Sequence, residues 1–443
     1  MIGIAAALTV AGTRASRTPP PPAAGLFSSV SVLDATLDAP LNDLFTRARK
    51  NPSTSVQGTL TCNGSSIGVD VSVRGNTSKG DSECSFPKLK LKFADHPRDG
   101  SIFEGIRSVK IGTHCGDRPD EQLTHFGRLA NDKEPFREAF IYRLLAVVQV
   151  PALAARPVRL TYTDAGRQTM HNGFFLEDDH ESLARLGASR ELPPEQFHDA
   201  ARDFAPADTA ALAFGEALVG NFDWCLKLTP GDAYRCDARH PLWNVRAYAK
   251  ADGHLTPVIG DFDIAGMATG RHAWFPNVFY AGFSASKSSA EIEVASQVQH
   301  TRTLFPRALL DATRQRFLGR KASVLQALAS ADLDPQGKEI AEAYITSFFN
   351  AIGTDAAFYA PVVMRQGTTV YSDSAGTHPA CGRSSDAPVG TPVSAPLKSD
   401  GHMVQVALLD ALWRWAPPNR CDAIHSGPVW IDKSAIGTDY PPR

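Results

Sequence analysis

Apolar and polar positions alternate with a period of two in several short runs across residues 55–176, and longer apolar stripes take over after residue 183. Ser55–Thr61 and Ile67–Val73 alternate in this way on either side of Asn63-Gly64, a pair that favours a tight hairpin turn. Lys88–Phe93 reads KLKLKF, which puts three lysines on one strand face and Leu89, Leu91 and Phe93 on the other. Ser108–Gly112, Arg156–Tyr162 and Gly173–Leu176 are predicted as further strands. One helix is predicted among them at Glu134–Val148, where Phe136, Phe140, Leu144 and Val148 recur every fourth residue before Pro151. Helices are then predicted at Ala207–Gly220, Ser289–Val298, Pro306–Leu328 and Gly337–Phe349. Two short strands, Asn244–Tyr248 and Thr256–Ile259, interrupt them with a turn at Gly253. Past Phe358–Pro361 the pattern becomes short β runs, Thr368–Tyr371 and Pro428–Asp432, with one candidate helix near Met403–Ala411. The expected class is α+β: an antiparallel first half carrying one helix, a helical second half, and a small β tail.

A length of 443 residues suits two or three domains. Apolar residues make up 43% and charged residues 21%, too apolar a mixture for a disordered chain. Lys plus Arg total 45 against 47 Asp plus Glu, a balance that excludes a broadly basic nucleic-acid-wrapping surface. No apolar run approaches the roughly 18 residues that would span a bilayer. The seven cysteines contain no CxxC, which argues against zinc ribbons and redox pairs. Their spacing suits local disulfides, Cys225 with Cys236 and Cys381 with Cys421, or else isolated buried thiols. Met1–Gly12 is apolar and small, and Pro19–Pro22 follows. Residues 1–26 thus read as a signal-like, Pro-rich leader without a basic start, and the chain is expected to be exported.

Four features stand in the order that phosphoryl transfer needs. The turn Arg74-Gly75-Asn76-Thr77-Ser78 offers backbone amides and a guanidinium to phosphate oxygens. The lysines 88, 90 and 92 form a cationic strand face that could reach a nucleotide's α- and β-phosphates. Glu138, on the first helix, could pair with one of them. Asp223, Asn244, Asp261 and Asp263 supply the carboxylate and amide oxygens that Mg²⁺ favours together with phosphates. Singly these are weak, since a lysine row is usually a solvated face and an RGN turn is usually only a turn. The pair GNFDW (Gly220–Trp224) and GDFDIAG (Gly260–Gly266) is more telling, because carboxylates set among apolar and small residues need a partner.

In those motifs the chain resembles the CotH-like atypical kinases, named for a bacterial spore-coat kinase. The resemblance runs through about residues 30–300: RGNTS, FPKLKLKF, SVKIGTHC, EAFIYRLL, VRLTYTD and GFFLEDD, then Gly220–Trp224, Asn244 and Asp261–Gly266. It implies a two-lobed protein-kinase-like fold over residues 27–361, with a β-rich N-lobe to about 172 and a helical C-lobe from about 173. It also implies ATP and Mg²⁺ (or Mn²⁺) as cofactors and a secreted or envelope protein as the substrate phosphorylated on serine or threonine, in a bacterial secreted or periplasmic setting. By the same resemblance Asp223 is the catalytic Asp, Asn244 and Asp261 hold metal with Asp263 assisting, and Lys90 binds phosphate with Glu138 as its partner. Arg74 belongs to the nucleotide-binding turn. The tail, residues 362–443, resembles an SH3-like barrel in GTTVYS, VGTPV and GPVWIDKSAI, and is expected to bind a partner or cell-wall material.

The chain also departs from the kinase pattern. Asn244 lies 21 positions after Asp223 rather than a few, and the insert contains Cys225 and Cys236. If the insert displaces Asn244, a metal ligand is lost and the chain becomes an inactive kinase-like adaptor. Transfer of AMP instead of phosphate is a third reading. Lys88 and Lys92 share the face of Lys90 and compete for its role. His114-Cys115, with no second His or Cys at ligand spacing, is expected to be structural. Glu177-Asp178-Asp179 lies either near the nucleotide base or in a solvated acidic turn.

Overall fold

The computed structural model describes residues 25–438 except 81, 96, 98–99, 121, 194–195, 197–202, 227, 229–241, 271–288, 360, 366, 381–385, 388–392 and 409–427. Seven strands close into a barrel: β1 (Leu33–Asp38), β2 (Ser55–Cys62), β3 (Ser65–Val73), β4 (Leu89–Phe93), β5 (Ser108–Gly112), β6 (Ala155–Asp164) and β7 (Arg167–Glu177). Their order is β1-β2-β3-β4-β5-β7-β6, and the parallel pairing of β1 with β6 closes the ring. The hairpin predicted at Asn63-Gly64 forms, with both residues at positive φ, 49° and 74°, as a tight turn between right-twisted strands requires. Alternation does the rest. Val69, Val71, Val73, Leu89, Leu91 and Phe93 point into one core, which Leu60, Ile111, Leu160 and Phe175 complete. Gly112 has to be glycine, because a Cβ there would lie 1.9 Å from the Phe174 ring.

The helix α1 (Leu41–Ala48) caps β2 and β3, and α2 (Glu134–Val147) packs on β6 and β7. Ten residues of α2 are buried, on every face. A helix covered all round needs no single apolar stripe, so the four-residue repeat located the helix without revealing how fully it is enclosed. Beyond β7 come α3 (Asp179–Arg185), β8 (Ala188–Leu192), α4 (Pro206–Val219), β9 (Val245–Lys250) and β10 (Leu255–Ile259). The order β10-β9-β8 makes a small antiparallel sheet. The helices α5 (Gly266–Thr269), α6 (Ser289–Leu304), α7 (Arg307–Leu318), α8 (Lys321–Ala329), α9 (Pro335–Gly353) and α10 (Asp355–Phe358) follow. They share a second core with α2 and α4, in which Phe214, Phe317, Phe348 and Phe358 meet ring to ring. The fold is mixed α+β. The single helix predicted over Pro306–Leu328 is two, broken at Gly319-Arg320, where the weak helix propensity of glycine favours an end.

Residues 362–438 form short strands: β11 (Val362–Val363), β12 (Thr368–Thr369), β13 (Asp386–Ala387), β14 (Lys398–Asp400), β15 (Met403–Val406), β16 (Val429–Asp432) and β17 (Ile436–Gly437). They surround their own core of Val370, Val393, Val404, Val406 and Ile431. The helix expected near Met403–Ala411 is a strand over Met403–Val406, paired on both sides with β14 and β16; the end of that expectation lies outside the described residues. Two neighbours override the local preference here. Among the described residues no helix is long and apolar enough to cross a membrane.

The cysteines differ from expectation. A disulfide joins Cys84 to Cys115, a pair the spacing did not suggest, and Cys62 is a buried free thiol. Sequence separation hid the bond, since the β4–β5 pairing is what brings residues 31 apart to a Cα–Cα distance of 4.5 Å. Cys225 is disulfide-bonded, while its expected partner Cys236 and the Cys381–Cys421 pair lie outside the described residues. Cys84→Ser with Cys115→Ser should lower stability by about 3–4 kcal/mol, the loop-closure entropy of a link of this span. A urea midpoint that does not move in the double variant would show that the bond contributes nothing.

Candidate active site

The site is built where the barrel meets α2 and the end of β10. Lys88, just before β4, is 5% exposed, and its Nζ lies 2.7 Å from Asp261 Oδ1, 2.9 Å from Asp263 Oδ2 and 3.9 Å from Glu138 Oε2. Burial opposes its charge, but Asp261, Asp263 and Glu138 together raise its pKa well above the ordinary lysine value. Asp263 is buried too. Its Oδ2 also accepts from Arg128 Nε at 2.6 Å, and Lys88 and Arg128 outweigh burial to hold its carboxyl well below the usual range. Arg128 extends the network, with Nη1 on Glu83 Oε2 at 3.0 Å and Nη2 on Thr77 Oγ1 at 2.7 Å. The RGNTS turn is thereby tied to the DFD segment, and Glu83 sits next to the disulfide-bonded Cys84.

The helix α2 holds the same segment by its backbone. Asp261 N donates to Tyr142 Oη at 2.9 Å and Phe262 N to Glu138 Oε1 at 3.2 Å, from side chains one helical turn apart. Asp261 takes φ +75°, a strained conformation for a non-glycine residue that these two bonds maintain. Burial pushes Glu134 well above the carboxylate range, and the neighbouring Glu138 pushes it further. Glu138 is raised less, because Lys88 opposes the effect of burial.

Asn244 stays beside Asp223 despite the insert. Cys225 and Trp243 form an antiparallel bridge, with Cys225 N to Trp243 O at 3.1 Å and Trp243 N to Cys225 O at 3.0 Å. The intervening chain therefore returns to where it left. Asn244 Nδ2 donates to Asp223 Oδ2 at 2.9 Å and to Asp223 O at 2.7 Å, and Trp243 Nε1 donates to Asp223 Oδ1 at 3.0 Å. Gly260 N donates to Asn244 O at 3.2 Å, because Val245 and Ile259 pair across the β9–β10 hairpin. Asn244 and Asp261 flank this pair at one end of the hairpin, and Asn244 also has positive φ, 54°.

Two expected assignments change. The ion pair expected between Lys90 and Glu138 is made by Lys88; Lys90 is 39% exposed in its side chain and lies 2.5 Å from Asp178. Period two put both lysines on the same face, but only Lys88 lies level with the DFD segment. Arg74 does not project freely from its turn. Its Nε donates to Leu89 O at 3.2 Å and its Nη2 to Ile111 O at 3.4 Å, bracing β4 and β5 from the edge. Lys92 is exposed.

Arg128 and Lys110 were not singled out from the sequence. Arg128 lies in a loop without periodicity, and no local signal marks it. Lys110, the register partner of Lys90, is 3.1 Å from Asp178 and 2.7 Å from Asp179. Asp178 and Asp179 therefore face the strand lysines rather than forming a solvated turn, and Asp179 also pairs with Arg246. Burial first, then the nearby Arg246, lowers the Lys110 pKa to about 7. Lys110 and Lys90 hold Asp178 down to about 2 against the effect of burial.

No family model matches the chain, and no curated protein matches it. Among solved structures it is similar to one titled as a Helicobacter pylori proinflammatory kinase, CtkA, at 8% identity and a TM-score of 0.32. That match covers 61% of this chain and 92% of the other. At that score the likeness is weak.

The Lys110 environment makes a pH prediction. The unfolded chain binds the Lys110 proton at the ordinary 10.5, the folded chain at about 7. The folded state therefore gains stability as pH rises between those values, by at most about 1.4 kcal/mol per unit from this group. Lys110→Met should remove that gain. Urea unfolding of both proteins at pH 7 and 9 checks it; a wild-type minus variant difference that is the same at both pH values would refute the depressed pKa.

Proposed function

We propose that the chain binds a nucleoside triphosphate with a divalent metal ion between the barrel and the β9–β10 hairpin, and transfers its terminal phosphoryl group to a serine or threonine hydroxyl of a protein. The observation that carries this reading is the buried Lys88 ammonium fixed by Glu138, Asp261 and Asp263, with the Asp223–Asn244 pair at the adjoining hairpin end. Phosphoryl transfer asks little covalent chemistry of a protein. It requires a held cation, metal-binding oxygens and a carboxylate to orient the acceptor.

Each residue then has a task. Lys88 replaces Lys90 as the phosphate-binding lysine, and Glu138 keeps its ammonium in register. Asp223 orients and deprotonates the acceptor hydroxyl, its own direction fixed by Trp243 and Asn244. The donor set fits a hard divalent cation such as Mg²⁺: Asp261 keeps its side chain 44% exposed, and Asn244, with Nδ2 on Asp223, has Oδ1 to offer. When bound, such an ion would offset the charge of the phosphates. Asp263, held by Lys88 and Arg128, positions Asp261 more than it offers oxygens itself. The disulfide Cys84–Cys115 and the bonded Cys225 support an exported protein, because such bonds persist in oxidising compartments. The 362–438 segment, with its own core, is proposed as a partner-binding module.

Incubation of the full chain with γ-labelled ATP, Mg²⁺ and a generic acceptor tests the reading. Asp223→Ala should keep its melting temperature and ATP binding while losing two or more orders of magnitude in turnover. Lys88→Met should lose the thermal shift given by ATP with Mg²⁺, whereas Lys90→Met should retain most of it. Equal shifts in all three proteins would remove Lys88 from the role, and a folded wild type that neither binds ATP nor transfers phosphate would leave an adaptor. A product mass increased by AMP would mean nucleotidyl transfer.

A further inference from the structure

A second group of ligand-type side chains lies elsewhere on the barrel. His114 follows β5 by two residues and His171 is in β7; the antiparallel pairing of Gly112 with Phe174 sets them side by side. With Asp117, each offers one ligand atom, and the three atoms lie within 4.8 Å of one another. The separation of 57 in residue number between the two histidines concealed this from the sequence, where His114 had no partner at ligand spacing.

Two independent features point to a ligand. His114 is 2% exposed, and its Nδ1 has no hydrogen-bond partner, a costly arrangement for a buried polar atom. The second feature concerns His171. Its Nδ1 lies 3.1 Å and 3.3 Å from the two carboxylate oxygens of Asp132; Asn172 N donates to Asp132 Oδ1 at 3.1 Å, and Asn172 Nδ2 donates to the backbone O of Asp132 at 2.8 Å. A carboxylate on one imidazole nitrogen sets the tautomer and leaves Nε2 as the lone pair, the outer-shell arrangement that orients metal-ligating histidines.

We propose that His114, His171 and Asp117 form a site for one first-row divalent metal ion, with Zn²⁺ the best fit. Two imidazoles and a carboxylate are Zn²⁺ ligands, and exposed Asp117 leaves a coordination position open to solvent. The two rings stack, their centres 3.8 Å apart and their planes 2° from parallel. Parallel rings cannot aim both lone pairs at one ion about 2.0–2.1 Å from each nitrogen, so loading turns one ring. His171 is held by Asp132; His114 turns, and gives up no hydrogen bond at Nδ1 in doing so. Phe86, packed on His114 at 4.7 Å between ring centres, becomes the apolar wall of the site. The inference does not depend on the phosphoryl-transfer reading.

The test is Zn²⁺ binding to the chelator-stripped full chain, by competition with a chromophoric chelator and by metal analysis after gel filtration. Asp261→Asn controls for uptake at the other site. Wild type and Asp261→Asn should each retain about one Zn²⁺ that His171→Ala and Asp117→Ala lack, and Asp132→Asn should weaken it by about 10–100-fold. The His114 and His171 ring signals in NMR should shift together as the stack opens. Asp117 is exposed, so Asp117→Ala decides the matter if His171→Ala fails to fold. Equal Zn²⁺ retention in folded Asp117→Ala and wild type, or no retention in wild type, overturns the proposal.

Discussion

The Lys88 ammonium lies among three carboxylates at the meeting of barrel, helix and hairpin, and the rest of the site depends on how its charge is kept. Removing an ammonium from water costs several kcal/mol, and the cost is recovered only where opposite charges are well placed. Asp261 and Asp263 meet it at hydrogen-bond distance, and Glu138 stands behind them. Their surplus negative charge is in turn shared with Arg128. No member can be removed without exposing another, so the network acts as a single unit. That is why residues as far apart in sequence as Thr77, Arg128 and Asp263 are fixed together.

The same unit sets the backbone. Glu138 and Tyr142 hold the amides of Phe262 and Asp261, and Asp261 tolerates a left-handed conformation because both bonds are made. Two non-glycine residues at positive φ, Asn244 and Asp261, flank one hairpin pair, as expected where strain is kept for a site rather than for packing. The bridge between Cys225 and Trp243 brings the two ends of the long insert together, so its length does not move Asn244. Loop-closure entropy grows only slowly with length.

The histidine pair shows the same logic at another place. Asp132 does for His171 what Glu138 does for Lys88, fixing a functional group through a carboxylate that itself accepts from a backbone N–H. Both arrangements lie along the β4–β5–β7 ladder, and the Cys84–Cys115 bond runs between them, next to His114 on one side and Glu83 on the other.

By itself the sequence determined the local elements and the chemical inventory. Period-two runs gave β2 to β7, Asn63-Gly64 gave its hairpin, four-residue spacing gave α2, and carboxylates set among apolar residues marked GNFDW and GDFDIAG as sites needing partners. These are readable because side-chain direction follows from backbone periodicity over a few residues. Only the tertiary structure decided which lysine of an equivalent face meets Glu138, that Arg74 braces strands, that Arg128 holds Asp263, and that Cys84 bonds Cys115 while His114 meets His171. Each of those is a distance between segments whose separation in sequence carries no period. Strand register and the closure of the barrel fix such distances, and register is set by the whole ladder rather than by any residue in it.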